Sequence, residues 1–142
     1  MAHPELEPIL EILRQTAERM LIDNGEFYPF AAALHRDGKL ALLDTEPSIE
    51  TQDVPILLEA LERGLRESVS RGECRAVGVC VDSFLTLPGS ADPIDALRIE
   101  IEHETGEGFS IYYPYEGAGS PTLALGVPRV FTKDTSYFVS RA

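Results

Sequence analysis

Residues 96–104 read Ala-Leu-Arg-Ile-Glu-Ile-Glu-His-Glu, and from Leu97 onward every second side chain is charged. A period of two is typical of a β-strand that turns one face towards a core. The charged side carries Arg98, Glu100, Glu102 and Glu104, and we expect it to face solvent. The run therefore predicts a half-buried strand with a row of carboxylates on its outer side.

Turn signals place further strands beside this one. The run Thr105-Gly106-Glu107-Gly108 predicts a hairpin into a strand over 109–115. Asp37-Gly38 is a strong hairpin signal and predicts a second pair of antiparallel strands, at 27–35 and 40–43.

The segment 75–81 places valines on one side and small residues on the other. This pattern favours a central strand whose small-residue side lets another element approach closely. Cys74 and Cys80 lie six positions apart on the same extended segment, about 20 Å from one another. Because a disulfide needs Cα atoms within about 7 Å, we expect no bridge between them.

Two segments have the apolar period of amphipathic helices. The first is predicted over 4–23, with Asn24-Gly25 as its left-handed stop. The second has an apolar face that extends from Val54 to Val69 and is predicted to end at Gly72, with Thr51 or Asp53 as its N-cap.

The element order α-β-β-α-β-β-β predicts an α+β fold, a mainly antiparallel sheet of about five or six strands with both amphipathic helices on one face. Residues 116–128 are interpreted as a loop, and Val130-Phe131 and 136–139 are candidates for one more strand. The chain of 142 residues has the length of one domain, so we expect a single α+β domain over 1–142.

The balance of charge limits the class of partner. The chain has 24 acidic and 12 basic side chains, a formal net charge of −12 at pH 7. A surface of this sign repels phosphate backbones, which argues against a nucleic-acid partner. The sequence has neither an apolar signal segment at its start nor a run long enough to span a bilayer, so we expect a cytoplasmic protein with no membrane partner.

The charged side of the strand at 96–104 is the first candidate binding surface. Basic side chains are scarce near Glu100, Glu102 and Glu104, so these like charges should repel one another unless a cationic partner approaches. The alternative interpretation is a solvated face that keeps the protein soluble and the sheet edges unpaired.

Tyrosines lie close to the same predicted strands. Tyr28, Tyr112 and Tyr115 each offer an apolar ring with a polar tip, which suits an interface. The sequence therefore favours a non-enzymatic interaction module that presents an acidic, tyrosine-bearing sheet face to a basic protein partner. A homodimer formed through a sheet edge is compatible with this interpretation.

No motif of catalysis or metal binding stands out. His3, His35 and His103 follow no metal-ligand spacing, and no nucleophile motif is present, so we assign no catalytic residue, no metal and no cofactor. The alternative function is a small-molecule-binding protein or enzyme with a pocket between the sheet and the loops 88–93 and 116–128.

Three short runs also resemble a known group. They are Phe27-Tyr28-Pro29-Phe30-Ala31 with the following Asp37-Gly38, the run over 95–103, and Tyr113-Pro114-Tyr115. Together they resemble a family of small bacterial proteins of unknown function, over residues 5–116. The resemblance implies a bacterial protein of similar size and brings neither an activity nor site residues with it.

Overall fold

The computed structural model describes residues 3–45 and 53–138. Two helices and seven strands lie within these residues. In chain order they are α1 (Leu6–Asn24), β1 (Phe30–His35), β2 (Leu40–Asp44), α2 (Val54–Ser70), β3 (Cys74–Leu85), β4 (Ile94–His103), β5 (Gly108–Glu116), β6 (Ala124–Leu125) and β7 (Arg129–Thr132).

The strands form a sheet in the order β2-β1-β3-β4-β5, and β5 also pairs with β6 and β7. Every pair is antiparallel, which confirms the predicted α+β fold and its order α-β-β-α-β-β-β. β7 supplies the additional strand expected near Val130, whereas β6 lies in the segment predicted as a loop. Residues 136–138 are bends rather than a strand, and Val139 lies outside the described residues.

The apolar stripe of α1 is the face that packs on the sheet. Its buried residues recur every three or four positions, at Leu6, Ile9, Leu13, Ala17 and Leu21. The helix ends as predicted, because Gly25 adopts a left-handed φ of 78° and its N–H donates to the Leu21 carbonyl at 3.0 Å.

The second helix begins at its predicted cap. The Asp53 carboxylate accepts a hydrogen bond from the backbone N–H of Ile56 at 3.3 Å. The other candidate cap, Thr51, lies outside the described residues. Only Leu57 and Leu65 of α2 are buried among the described side chains, so α2 covers the sheet less completely than α1 does.

The two helices lie on opposite faces of the sheet, and the prediction that both cover one face is wrong. Neighbouring side chains of a strand point to opposite faces. In β1, Ala32 packs in the cluster formed with α1, whereas Ala31 and Ala33 pack in the cluster that contains Leu65 of α2. The physical reason is that residues 30–34 are apolar and buried on both sides, so each face of β1 needs its own cover.

The small-residue side of β3 receives α1 at close range, which confirms the expected close approach. A Cβ atom at Gly78 would lie 2.7 Å from side-chain atoms of both Ile9 and Leu13. Those distances are well below van der Waals contact, so α1 can occupy its position only because residue 78 has no side chain.

Two further expectations concern the cysteines and the apolar length of the helices. Cys74 and Cys80 are buried free thiols, which confirms that they form no bridge with one another. In the part of the chain that the structure describes, no helix is both long and apolar enough to cross a membrane.

We expect Gly78→Ala to lower the free energy of unfolding by about 1–3 kcal/mol, because the added methyl group overlaps the α1 side chains. Gly64→Ala is the matched control. Gly64 lies within α2 with open space around it, so alanine there should leave stability unchanged or raise it by up to about 1 kcal/mol. Urea unfolding followed by circular dichroism measures both, and equal losses in the two variants would contradict the close packing at Gly78.

Candidate functional site

The predicted acidic row lies on the face of the sheet that α2 partly covers. In the β3–β4 pair, Val77 is opposite Glu102 and Val79 is opposite Glu100. Opposite residues of antiparallel strands point to the same side, and both valines pack in the cluster with Leu65 of α2. The row therefore shares its face with a helix and with the segment that follows β7.

Glu102 is buried, with 1% of its surface exposed, so the expectation that it faces solvent is wrong. Its Oε1 accepts the backbone N–H groups of Ser136 and Tyr137 at 2.8 and 3.0 Å, and its Oε2 accepts Lys133 Nζ at 2.7 Å and Ser136 Oγ at 3.0 Å. The physical reason is that residues 133–138, which we call the strap, cross the sheet above Glu102 and supply donors to both carboxylate oxygens.

The other two carboxylates of the row keep partial exposure but also have cationic partners. Lys133 Nζ lies 3.5 Å from Glu100 Oε2, and an Arg36 nitrogen lies 2.6 Å from Glu104 Oε2. The side chains of Glu100 and Glu104 are 35% and 37% exposed. Because each acid has a basic neighbour from elsewhere in the chain, the row does not have the unrelieved repulsion expected from the sequence.

The three predicted tyrosines lie in different places. Tyr112 is opposite Arg98 on the same face as Glu100, and its ring meets the Phe131 ring edge-on with centroids 5.9 Å apart. Tyr115 lies on the α1 face and is buried, with its hydroxyl donating to Asp82. Tyr28 is 39% exposed and lines a cleft. The sequence-predicted residues therefore do not form one surface.

The cleft beside Tyr28 has a volume of about 630 Å³. Its walls come from the end of α1, the connection to β1, the end of β2, the start of α2 and the middle of β3. Three carboxylates line it, those of Glu26, Asp44 and Asp82, and none of the described lining residues is basic. The cleft is therefore a concave site of negative charge with an aromatic wall.

The connection between α1 and β1 explains why Tyr28 is available. Phe27 is buried and packs edge-on against Phe30, with centroids 5.5 Å apart, and Pro29 is also buried. With both of its neighbours buried, the Tyr28 side chain is the one that turns outward. Thr45 closes the other side of this turn, where its hydroxyl donates to the Pro29 carbonyl at 2.8 Å.

Asp82 is the half-buried carboxylate of the cleft. Burial raises its pKa above the ordinary value, the 2.6 Å hydrogen bond from the Tyr115 hydroxyl opposes this shift, and the charges of Asp95 and Glu26 add to it. Burial and the bond to Asp82 likewise raise the pKa of Tyr115, so its hydroxyl remains a donor. An approaching cation would remove the like-charge repulsion that Asp82 experiences.

Sequence reasoning identified only one part of this cleft. Tyr28 stands out as part of an aromatic-proline-aromatic run, whereas Glu26, Asp44 and Asp82 have no distinguishing pattern. The loops 88–93 and 116–128, proposed as the walls of a pocket, contribute none of the described lining residues. Part of the second loop packs against α1 instead, where the N–H of Gly119 donates to the Leu21 carbonyl at 2.7 Å.

Comparisons of the chain with models of protein families, with curated proteins and with solved structures found no match. The resemblance to small bacterial proteins therefore stays a prediction.

We expect Glu102→Gln to lower the free energy of unfolding by about 2–4 kcal/mol, because the amide nitrogen cannot accept the bonds that the strap donates and Lys133 loses its buried partner. Glu100→Gln removes the same charge from a half-exposed position on the same strand and should cost less than about 1 kcal/mol. Guanidinium unfolding compares the two variants. Equal effects would show that the strap does not depend on the buried carboxylate.

Proposed function

We propose that this protein is a non-enzymatic binding protein whose cleft accepts a cationic group, the ammonium or guanidinium side chain of a basic protein partner. The observation that carries the proposal is the convergence of Glu26, Asp44 and Asp82 with the exposed ring of Tyr28 on one concave site. The partner is of the class inferred from the sequence, a basic protein. Its contact lies at the cleft and not at the row of Glu100, Glu102 and Glu104.

The electrostatics of the cleft support a cation over a neutral or anionic ligand. Carboxylates in a partly desolvated site attract a charge more strongly than the same groups in bulk water. Tyr28 adds a ring face over which an ammonium or guanidinium can lie. The C-terminal end of α1, which carries the negative end of the helix dipole, contributes Met20 and Asn24 to the walls.

The positions of the basic residues also favour a cationic ligand. Arg36, Arg75 and Lys133 are already paired with carboxylates, at Glu104, Glu5 and Glu102 respectively. The charges of the cleft have no such neighbour among the described lining residues. With a net charge of −12, the whole chain would also draw a basic partner towards it and accelerate the encounter.

The same cleft supports a second candidate, a small amine. A volume of about 630 Å³ falls in the range of small-molecule sites, and the recognition chemistry is the same for a free amine as for a basic side chain. The two candidates differ in whether the cation has to be part of a polypeptide.

A fluorescent hexa-arginine peptide and unlabelled spermine separate these candidates. We expect the peptide to bind at low salt, and Asp82→Asn to weaken it by about tenfold because a charge-assisted contact is lost while the acceptor for Tyr115 is kept. Tyr28→Ala should weaken it by about three- to tenfold. Fluorescence anisotropy measures the affinity of the peptide, and titration calorimetry measures that of spermine.

Glu100→Gln is the control, because it removes one charge outside the cleft and should change affinity by less than about twofold. Spermine binding that is sensitive to Asp82→Asn, with no peptide binding, would favour the small amine. Equal losses in Glu100→Gln and Asp82→Asn would contradict a site at the cleft, as would the absence of binding by both probes.

The raised pKa of Asp82 gives the cleft a pH dependence with a defined sign. A cation binds the ionised carboxylate, so binding weakens as the pH falls through the pKa of Asp82 and protons occupy the site. Because the pKa of Asp82 is raised, we expect the affinity for the peptide to decline as the pH falls below neutral, and to begin its decline at a higher pH than an ordinary aspartate would cause. The same titration with Asp82→Asn should be flatter, and two identical profiles would show that Asp82 is not a contact.

A further inference from the structure

A second cluster of polar side chains lies at the other end of α1, away from the cleft. Glu5 and His103 are 98 positions apart in sequence, yet Glu5 Oε1 lies 2.9 Å from His103 Nε2. The ring of His3 stacks on that of His103, with centroids 3.7 Å apart. One ligand atom from each of the three residues lies within 4.8 Å of the other two.

We infer that His3, Glu5 and His103 bind one divalent transition-metal ion, and that Zn²⁺ is the ion they fit best. Two imidazoles and one carboxylate form the donor set of three-ligand zinc sites, in which water takes the fourth position. Ca²⁺ and Mg²⁺ prefer all-oxygen sites, so a set with two nitrogen donors selects against them. The sequence alone predicts no metal, because these histidines follow no recognised spacing.

Hydrogen bonds from neighbouring residues orient both the His103 ring and the Glu5 carboxylate. His103 is buried, and its Nδ1 accepts the backbone N–H of Thr105 at 3.1 Å and lies 2.9 Å from the Thr105 hydroxyl, so Nε2 carries the ring proton and donates it to Glu5. Binding of a metal ion at Nε2 displaces that proton, and the ring can then carry a proton on Nδ1, where the Thr105 hydroxyl accepts it. Arg75 binds the other oxygen of Glu5, with 2.7 Å between Arg75 nitrogen and Glu5 Oε2. Two of the three ligand atoms, His103 Nε2 and Glu5 Oε1, are thus held 2.9 Å apart at one place.

His3 is the ligand that has to move. Its ring plane is within 16° of that of His103, and two stacked rings cannot both aim an in-plane lone pair at one ion. The backbone N–H of His3 donates to Glu107 Oε2 at 2.6 Å, and its ring Nδ1 accepts the backbone N–H of Glu5 at 3.1 Å. The side chain is partly exposed, so the ring can turn about its own bonds. Metal binding therefore exchanges ring stacking and this one hydrogen bond for coordination, without displacing the backbone.

The test uses the untagged chain, because a polyhistidine tag would compete for the ion. Calorimetric titration with ZnCl₂ should show one ion bound per chain, and His3→Ala should weaken that binding by about tenfold or more. His35→Ala is the matched control, because His35 lies at the end of β1 outside the cluster. We expect its affinity for Zn²⁺ to equal that of the wild type.

Co²⁺ provides a readout that does not depend on the stability of a variant. Bound to the wild-type chain, it should give the visible absorption band of a tetrahedral site, and excess Zn²⁺ should abolish the band. Zn²⁺ should also raise the melting temperature of the wild type and of His35→Ala, but not that of His3→Ala. No Co²⁺ band, or Zn²⁺ binding that is equally strong in His3→Ala, would overturn the assignment.

Discussion

The buried carboxylate of Glu102 holds the strap against the middle of the sheet. A carboxylate with 1% exposure is tolerated only where donors replace the water it has lost, and here Lys133, Ser136 and Tyr137 supply them. The strap depends on the glutamate in turn, because it donates four hydrogen bonds to this one carboxylate. It also connects the strap to α2, since the Arg66 guanidinium lies 5.2 Å from the centre of the Tyr137 ring.

The periodicity of the sequence predicted which segments form helices and strands, but not which face of the sheet each helix covers. The alternation near residue 100, the Asp-Gly hairpin and the two apolar stripes are local signals, and each gave the right element. The face that each helix covers is not a local property. Residues 30–34 do indicate that both faces of the sheet are covered, because a strand that is apolar at every position has to bury the side chains of both its faces.

The candidate sites were harder to predict for a related reason. Glu102 looks like any outward-facing residue of its strand, because its partners come from a later segment with no regular pattern. The proximity of His3 to His103 likewise depends on α1 docking beside the end of β4. The exposure of Tyr28 could be predicted from the sequence, because a tyrosine next to a proline in an apolar run suggests a turn at the surface.

The contact between α1 and Gly78 has a consequence for how this chain can change over evolution. Ile9 and Leu13 fill the volume in which a side chain at position 78 would lie, so the three positions form one steric unit. The size of the side chain that can be substituted at any one of these positions is limited by the side chains at the other two. Among homologues we would expect position 78 to stay glycine, or to covary with positions 9 and 13 towards smaller side chains.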